Sequence, residues 1–317
     1  MACYSTRFEL MGTFIDLIVH HEKGEHLIKE VFLQLNQYAQ RFTVNQDDSE
    51  LMKVNQFAGI KPVTVQPDLF YLIKKATQVS LDMSNPFNIA VGPLVKMWRI
   101  GFKDAKLPTD NEITRALELV NPKNIILNEQ NQSVFLSQVG MRIDLGAIAK
   151  GYFADEIKRY LVNAGVTQGI INLGGNVLSI GGAPKNANQS WNIGIQNPLL
   201  QRGEICRVVP LKDRSMVTSG INERFFQLNG KRYHHLLDPN TGRPISTDIA
   251  SVTIISERSI DGEIWSTAGF LSSTKQSLEH FNQLSSQAGI EAVIISQKGD
   301  INVSKGLIDD GQHIMLR

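Results

Sequence analysis

Cysteine is nearly absent, with Cys3 and Cys206 the two in 317 residues. Two thiols so far apart have no metal-ligand spacing and cannot make the dense disulfide framework of a small secreted domain, so they point to a reducing compartment. Long apolar runs are missing as well, and none approaches the ~18 residues that a membrane-spanning helix needs. Residues 1–8 lack a basic stretch followed by an apolar one, and Cys3 has no apolar segment before it to mark it for lipidation. The expectation is a cytoplasmic protein without a membrane anchor. Neither sign of charge is in excess: 32 Lys and Arg against 31 Asp and Glu leave a net charge of +1. That gives no electrostatic case for a nucleic-acid partner, although local phosphate binding stays open. A Gly-x-Gly-x-x-Gly fingerprint in a βαβ unit is missing, which argues against a Rossmann domain. The adjacent His234 and His235 do not match a zinc motif.

What is present describes a globular chain: 42% hydrophobic residues, 20% charged residues and 25 glycines, enough to bury one large core or two. No linker, repeat or low-complexity tract divides it. Residues 7–21 alternate as a strand interrupted at Met11-Gly12-Thr13, and residues 27–38 carry apolar side chains at helical spacing. Pro67 suits a helix start, and Thr109 with Glu112 reads as a capping box. A hairpin is expected from residues 125–127 and 134–136. Residues 144–151 read as a passage from a strand into a helix that stops at Gly165. Strands then dominate, at 170–173, 191–196, 206–211, 224–228, 249–255 and 292–295, with helices at 263–271 and 275–284. This order is mixed rather than a regular βαβ alternation, so the fold class expected is α+β, with largely antiparallel sheets and flanking helices.

Four stretches carry chemistry. In Asp261-Gly-Glu-Ile-Trp-Ser-Thr267, read as the start of a helix, Glu263 and Thr267 stand four apart on one face and Ser266 adds a third oxygen. Such hard oxygens suit Mg²⁺, and the same residues equally make a capped helix start. Asn172-Leu-Gly-Gly-Asn176 reads as a tight turn or as a backbone cradle for phosphate. The segment from Asp144 to Gly151 offers a helix start with Lys150 one turn in, a place for pyrophosphate, while Asp144 also fits a simple cap. His235 and Asp238, in a turn ending at Pro244, are candidates for a base and its orienting carboxylate, or for structural turn partners. Phe87 and Asn88, in a segment running to Trp98, could wrap a flat ring or line a core.

In this order the motifs resemble the FAD:protein FMN transferase (ApbE) family. The resemblance runs through Met11-Gly-Thr13, Ser49-Glu-Leu51 with Asn55, Phe87-Asn-Ile-Ala-Val-Gly-Pro-Leu94 with Trp98, and Asp144-Leu-Gly-Ala-Ile-Ala-Lys-Gly151. It continues through His235-Leu-Leu-Asp238-Pro-x-Thr-Gly242 to Glu263-x-x-Ser-Thr267, with Thr218-Ser-Gly220 between. It implies an ApbE-like, T-fold-like domain over residues 1–317, undivided or in two lobes with the FAD cleft between them. The implied activity is Mg²⁺-dependent transfer of FMN from FAD, the substrate, to a Thr or Ser hydroxyl of an acceptor flavoprotein, releasing AMP. Metal ligands map to Glu263, Ser266, Thr267 and the backbone oxygen of Ala147. Flavin and nucleotide contacts map to Met11, Asn45, Pro86, Phe87, Asn88, Asp144, Ala147, Lys150 and Leu237. His235, with Asp238, maps to the catalytic base. Three positions depart from the family pattern: Glu263 replaces Asp, Asn88 replaces Asp, and Asn45 stands where several relatives carry an aromatic. The alternatives weighed against transfer are a pyrophosphatase that splits FAD to FMN and AMP, and a noncatalytic FAD-binding protein.

Overall fold

The computed structural model describes residues 2–82 and 87–317. Pro86, one of the expected flavin contacts, lies outside the described residues. The chain forms two compact units, the first from Met1–Asn36, Lys150–Gly220 and Thr247–Arg317, the second from Gln37–Ala149 and Ile221–Ser246.

The first unit is built on an eight-stranded sheet whose strands follow chain order: β1 (Cys3–Leu10), β2 (Thr13–His20), β3 (Gly169–Leu173), β4 (Asn176–Ile180), β5 (Ser215–Gly220), β6 (Ile249–Ser256), β7 (Glu291–Ser296) and β8 (Ile301–Val303). Every neighbouring pair is antiparallel. The expected interruption at Met11-Gly12 is a two-residue hairpin turn with φ of +55° and +69°, the primed geometry whose twist matches that of the strands. The helices labelled here are α1 (Gly24–Arg41), α2 (Ala149–Asn163), α3 (Ser259–Ala268) and α4 (Thr274–Ala288). Strand β6 is buried at every position, because α3 packs on β5 and β6 while Ile255 joins Ile195, Val209 and Leu211 of the hairpin Trp191–Gln196 and Ile205–Leu211 in a separate apolar cluster. A strand covered on both faces loses the in-out alternation that would identify it.

The second unit holds the helices Glu50–Gln56, Pro67–Leu81, Gly92–Trp98 and Asp110–Leu117, a three-stranded sheet of Val63–Thr64, Ser133–Leu136 and Ile125–Asn128, and the hairpin Phe225–Leu228 with Lys231–His234. Pro67 occupies the first turn of its helix, and Thr109 and Glu112 close both arms of the capping box. The fully buried Trp98 donates its Nε1–H to the Gly242 carbonyl at 2.8 Å. The fold is α+β with antiparallel sheets, as the sequence indicates.

Two expectations near the site are corrected. The helix placed at 263–271 starts at Ser259, so Glu263 is in its second turn and Thr267 in its last, and the Glu-Ser-Thr triplet caps nothing. Arg258 at the cap position makes no side-chain bond there. The cap comes instead from Asp155 of α2, whose carboxylate accepts the amides of Ser259 at 2.7 Å and Ile260 at 3.0 Å. Residues 141–145 form no strand, and α2 begins at Ala149, after a turn at 146–148. Asp144 accordingly accepts the Gly146 amide at 2.7 Å within that turn and does not cap the helix.

The approach of α2 to α3 depends on Gly151. A Cβ there would meet the Ser259 carbonyl oxygen at 2.5 Å and Ile260 Cα at 2.7 Å, both backbone atoms with little freedom to yield. Gly151→Ala should destabilise the fold by about 1–3 kcal/mol through overpacking, read as a lowered urea midpoint. An unchanged midpoint would contradict this packing.

Candidate active site

In the first unit, α3 points Glu263 inward, where it is 4% exposed. Lys150, in the first turn of α2, donates to Glu263 Oε1 at 2.8 Å, and its side chain is 31% exposed. Asn176, at the start of β4, donates Nδ2–H to the same Oε1 at 2.9 Å. A buried carboxylate needs such partners, since desolvation without them costs several kcal/mol per ion. Gly262, beside Glu263, packs against Val217 of β5, where a Cβ would approach Cγ2 to 2.6 Å. Thr267 lies one turn on from Glu263 and is half-buried, so the two share the face expected from their spacing. Ser266 is fully buried, its hydroxyl 2.9 Å from Ser219 Oγ and donating to the Glu263 carbonyl at 3.2 Å. Among the described residues there is no cluster of three or more His, Cys, Asp or Glu fit for a metal. The donor set a cation would meet here is one carboxylate with a neighbouring hydroxyl, hard oxygens of the kind Mg²⁺ takes together with phosphate and water.

The glycine turn after β3 is closed by its own side chains. Asn172 accepts the Gly175 amide at 2.8 Å and donates to Asp16 at 3.1 Å. Gly174 sits so close to Thr13 that a Cβ would come within 2.3 Å of its hydroxyl oxygen. These contacts favour the tight-turn reading. Met11 occupies the β1–β2 turn, half-buried.

In the second unit three of the sequence blocks converge. Asn55 is buried and pins both backbone groups of Ile143, accepting its N–H at 2.8 Å and donating to its carbonyl at 3.0 Å. The next residue, Asp144, gives its own N–H to the Ile89 carbonyl at 2.9 Å. Burial pushes the Asp144 carboxyl up from the usual range, opposed by the Gly146 amide and by the charges of Arg224 and Arg142. Ala147 sits in the turn at 146–148, half-buried. Asn88 accepts the Ala90 amide at 2.8 Å and donates to the Val120 carbonyl at 2.9 Å. An aspartate could only accept at both places, which gives Asn88 a structural reason of its own. Phe87 is buried. Asn45 is exposed, and its backbone N–H donates to Thr43 Oγ1 at 3.0 Å. Leu237 packs with Leu94, Ala116 and Val120.

His235 Nδ1 lies 3.2 Å from the Arg224 carbonyl oxygen. A carbonyl only accepts, so Nδ1 carries the proton and the lone pair of the neutral ring falls on Nε2. Asp238 turns its oxygens to the Asn240 amide at 2.8 Å and the Thr241 hydroxyl at 3.0 Å. The group holding the His235 ring in the described contacts is therefore the Arg224 carbonyl.

Sequence reasoning passed over Ser259 and Asp155, which carry no local pattern, and gave no role to Asn176, at the end of a motif read as a turn, or to Ser219, inside the Thr218-Ser-Gly220 block. The Asp155 carboxyl is pushed up to about 6 by burial, against the two α3 amides and Arg258, with Asp261 adding to the rise. Its unfolded value is about 3.9, so between those pH values the folded state binds the proton that the unfolded chain has released. Stability from this group is fully present below about pH 4 and falls, by up to about 3 kcal/mol, as pH rises through about 6. A carboxyl ¹³C titration of Asp155 should show a midpoint near the folded value, and Asp155→Asn should flatten the stability profile between these pH values. A midpoint at the ordinary aspartate value would contradict this.

Comparison with known proteins gives the context of these residues. The ApbE family pattern matches residues 11–295. A FAD:protein FMN transferase of Klebsiella pneumoniae (strain 342) is 40% identical over 301 residues, 95% of this chain and 92% of that protein. Another, of Treponema pallidum (strain Nichols), is 35% identical over 321 residues, 96% of this chain and 88% of its own. The crystal structure of the ApbE protein of Thermotoga maritima superposes with a TM-score of 0.86 at 28% identity, covering 96% of this chain and 97% of that one. The apo flavinyl transferase ApbE of Pseudomonas stutzeri, at 23% identity and a TM-score of 0.82 over 96% of this chain and 95% of its own, shares the fold. The chain belongs to the ApbE family and, like the relatives it matches, is an enzyme of the flavin-transferase class. Among the described residues no helix is long and apolar enough to cross a membrane.

Proposed function

We propose that the protein moves FMN from FAD to a Thr or Ser hydroxyl of an acceptor flavoprotein and releases AMP, with Mg²⁺ required and the cytoplasm as the setting. The observation that carries this reading is the buried carboxylate of Glu263, held by Lys150 and one helical turn from Thr267, in a chain that matches FAD:protein FMN transferases along nearly its whole length.

In this reading Glu263, Ser266, Thr267 and the Ala147 carbonyl are the groups that would hold Mg²⁺. When bound, the ion withdraws charge from the pyrophosphate oxygens. Lys150, paired with Glu263, is read as a second positive charge that would stabilise the negative charge building on the leaving phosphate. His235 takes the acceptor proton on Nε2, because its Nδ1–H is committed to the Arg224 carbonyl, and the neutral ring is a competent base near neutral pH. The acceptor oxygen forms a bond to the FMN phosphorus, the bond from that phosphorus to the bridging oxygen breaks, and AMP leaves with that oxygen. Asp144, Phe87 and Asn88, with Met11, Asn45, Pro86 and Leu237, bind the dinucleotide, and Asp238 shapes the turn that carries His235.

Purified protein given FAD, Mg²⁺ and an acceptor with a suitable Thr or Ser should yield a fluorescent protein band that survives denaturing electrophoresis, together with equimolar AMP. AMP formed at the same rate with no acceptor would replace transfer by hydrolysis, and FAD binding without turnover would leave only a binding protein. Glu263→Gln should lower kcat by about 100-fold or more if it removes a ligand of the catalytic ion, with the circular dichroism spectrum retained. His235→Ala should lower the transfer rate by ~10²–10⁴-fold and leave the FAD dissociation constant unchanged; a matching loss of FAD affinity would reduce His235 to a ligand contact.

A further inference from the structure

Asn176 is 2% exposed and uses both ends of its amide on α3. Its Nδ2–H goes to Glu263 Oε1 at 2.9 Å, and its Oδ1 accepts the fully buried Ser259 hydroxyl at 2.5 Å. Ser259 and Glu263 are four residues apart on one helix face, so one side chain from β4 spans a turn of α3. Only an amide of this length donates at one end and accepts at the other.

The glutamate side chain has three torsions to fix before its carboxylate points one way. Lys150 alone cannot fix them, since an ammonium on a four-carbon stem is a mobile point charge. With Asn176 added, both donors land on Oε1, which leaves Oε2 as the oxygen that can be offered to a cation. We propose that Asn176, anchored by Ser259, is a positioning residue that sets the Glu263 carboxylate for a divalent cation. The inference rests on the reading of Glu263 as a metal ligand given above.

A different role for Asn176 is a plain pin between β4 and α3, and the substitutions separate the two. Asn176→Asp keeps the shape and the acceptor for Ser259 but loses the donor and sets a second carboxylate against Glu263. A pin tolerates Asp better than Ala, whereas a positioning donor does not. The full-length chain, checked by circular dichroism, is titrated calorimetrically with MgCl₂ alone. Asn176→Ala and Asn176→Asp should each raise the Mg²⁺ Kd by about 10- to 100-fold, the size seen when a ligand loses its supporting hydrogen bond, with Asp no milder than Ala. Ser259→Ala, which removes only the anchor, should raise it by less than about tenfold, and it carries the test if the Asn176 variants do not fold. Wild-type Mg²⁺ affinity in Asn176→Asp, or in Ser259→Ala when that variant stands alone, overturns the proposal. Mg²⁺ binding equal in Glu263→Gln and wild type overturns the metal reading itself, and the positioning role falls with it.

Discussion

A carboxylate that is taken out of water must be held by its neighbours, and in this protein Glu263 imposes that requirement on two elements. Lys150 comes from α2 and Asn176 from β4, and both meet the same oxygen. The desolvation cost of the charge is offset only while both donors stay in place. The smallness of Gly151 and Gly262 follows from this, because α2 and β5 can come close to α3 only where no side chain intervenes. Asp155 belongs to the same arrangement: its side chain reaches from α2 to accept the first amides of α3 and so fixes where that helix begins.

The second unit solves a different problem with the same economy of contacts. Asn55 and Ile89 fix the backbone at Ile143 and Asp144, and Asn88 ties the segment before Gly92 to Val120. Asn88 is one of the departures from the family pattern, and its two hydrogen bonds account for it without reference to a ligand. His235 obtains its orientation from a backbone carbonyl, which fixes its tautomer.

Much of this was legible in the sequence where the signals are local. The hairpin turn at Met11-Gly12, Pro67 in a first turn, the Thr109–Glu112 capping box and the i, i+4 relation of Glu263 to Thr267 depend on residues a few positions apart, and all are present. Strands β4 and β5 were not legible. Buried hydroxyls on both are satisfied by long-range bonds, Ser179 of β4 to the Arg214 carbonyl and Ser215 of β5 to the Val177 carbonyl, so polar residues occupy positions that a pattern reader expects to be apolar. The start of α3 was missed for a related reason: its cap lies 104 positions away in Asp155, and no window along the chain contains both. The cap reading of Asp144, one of two left open by the sequence, gives way to a turn because a turn and a helix start use the same residue chemistry. Asn176 ended a motif that reads as a turn, and its partners Ser259 and Glu263 become visible only when β4 is laid beside α3.

The central claim is the proposed one, that the buried carboxylate on α3 is a ligand for a divalent cation that would bind together with FAD. Anomalous diffraction from crystals soaked with Mn²⁺ and FAD tests it most directly. The account predicts one strong manganese peak within roughly 2.2 Å of a Glu263 carboxylate oxygen, the coordination distance of a small hard cation, with the Thr267 hydroxyl and a pyrophosphate oxygen also in its shell. A peak bound elsewhere, with Glu263 still paired only to Lys150 and Asn176, would contradict it.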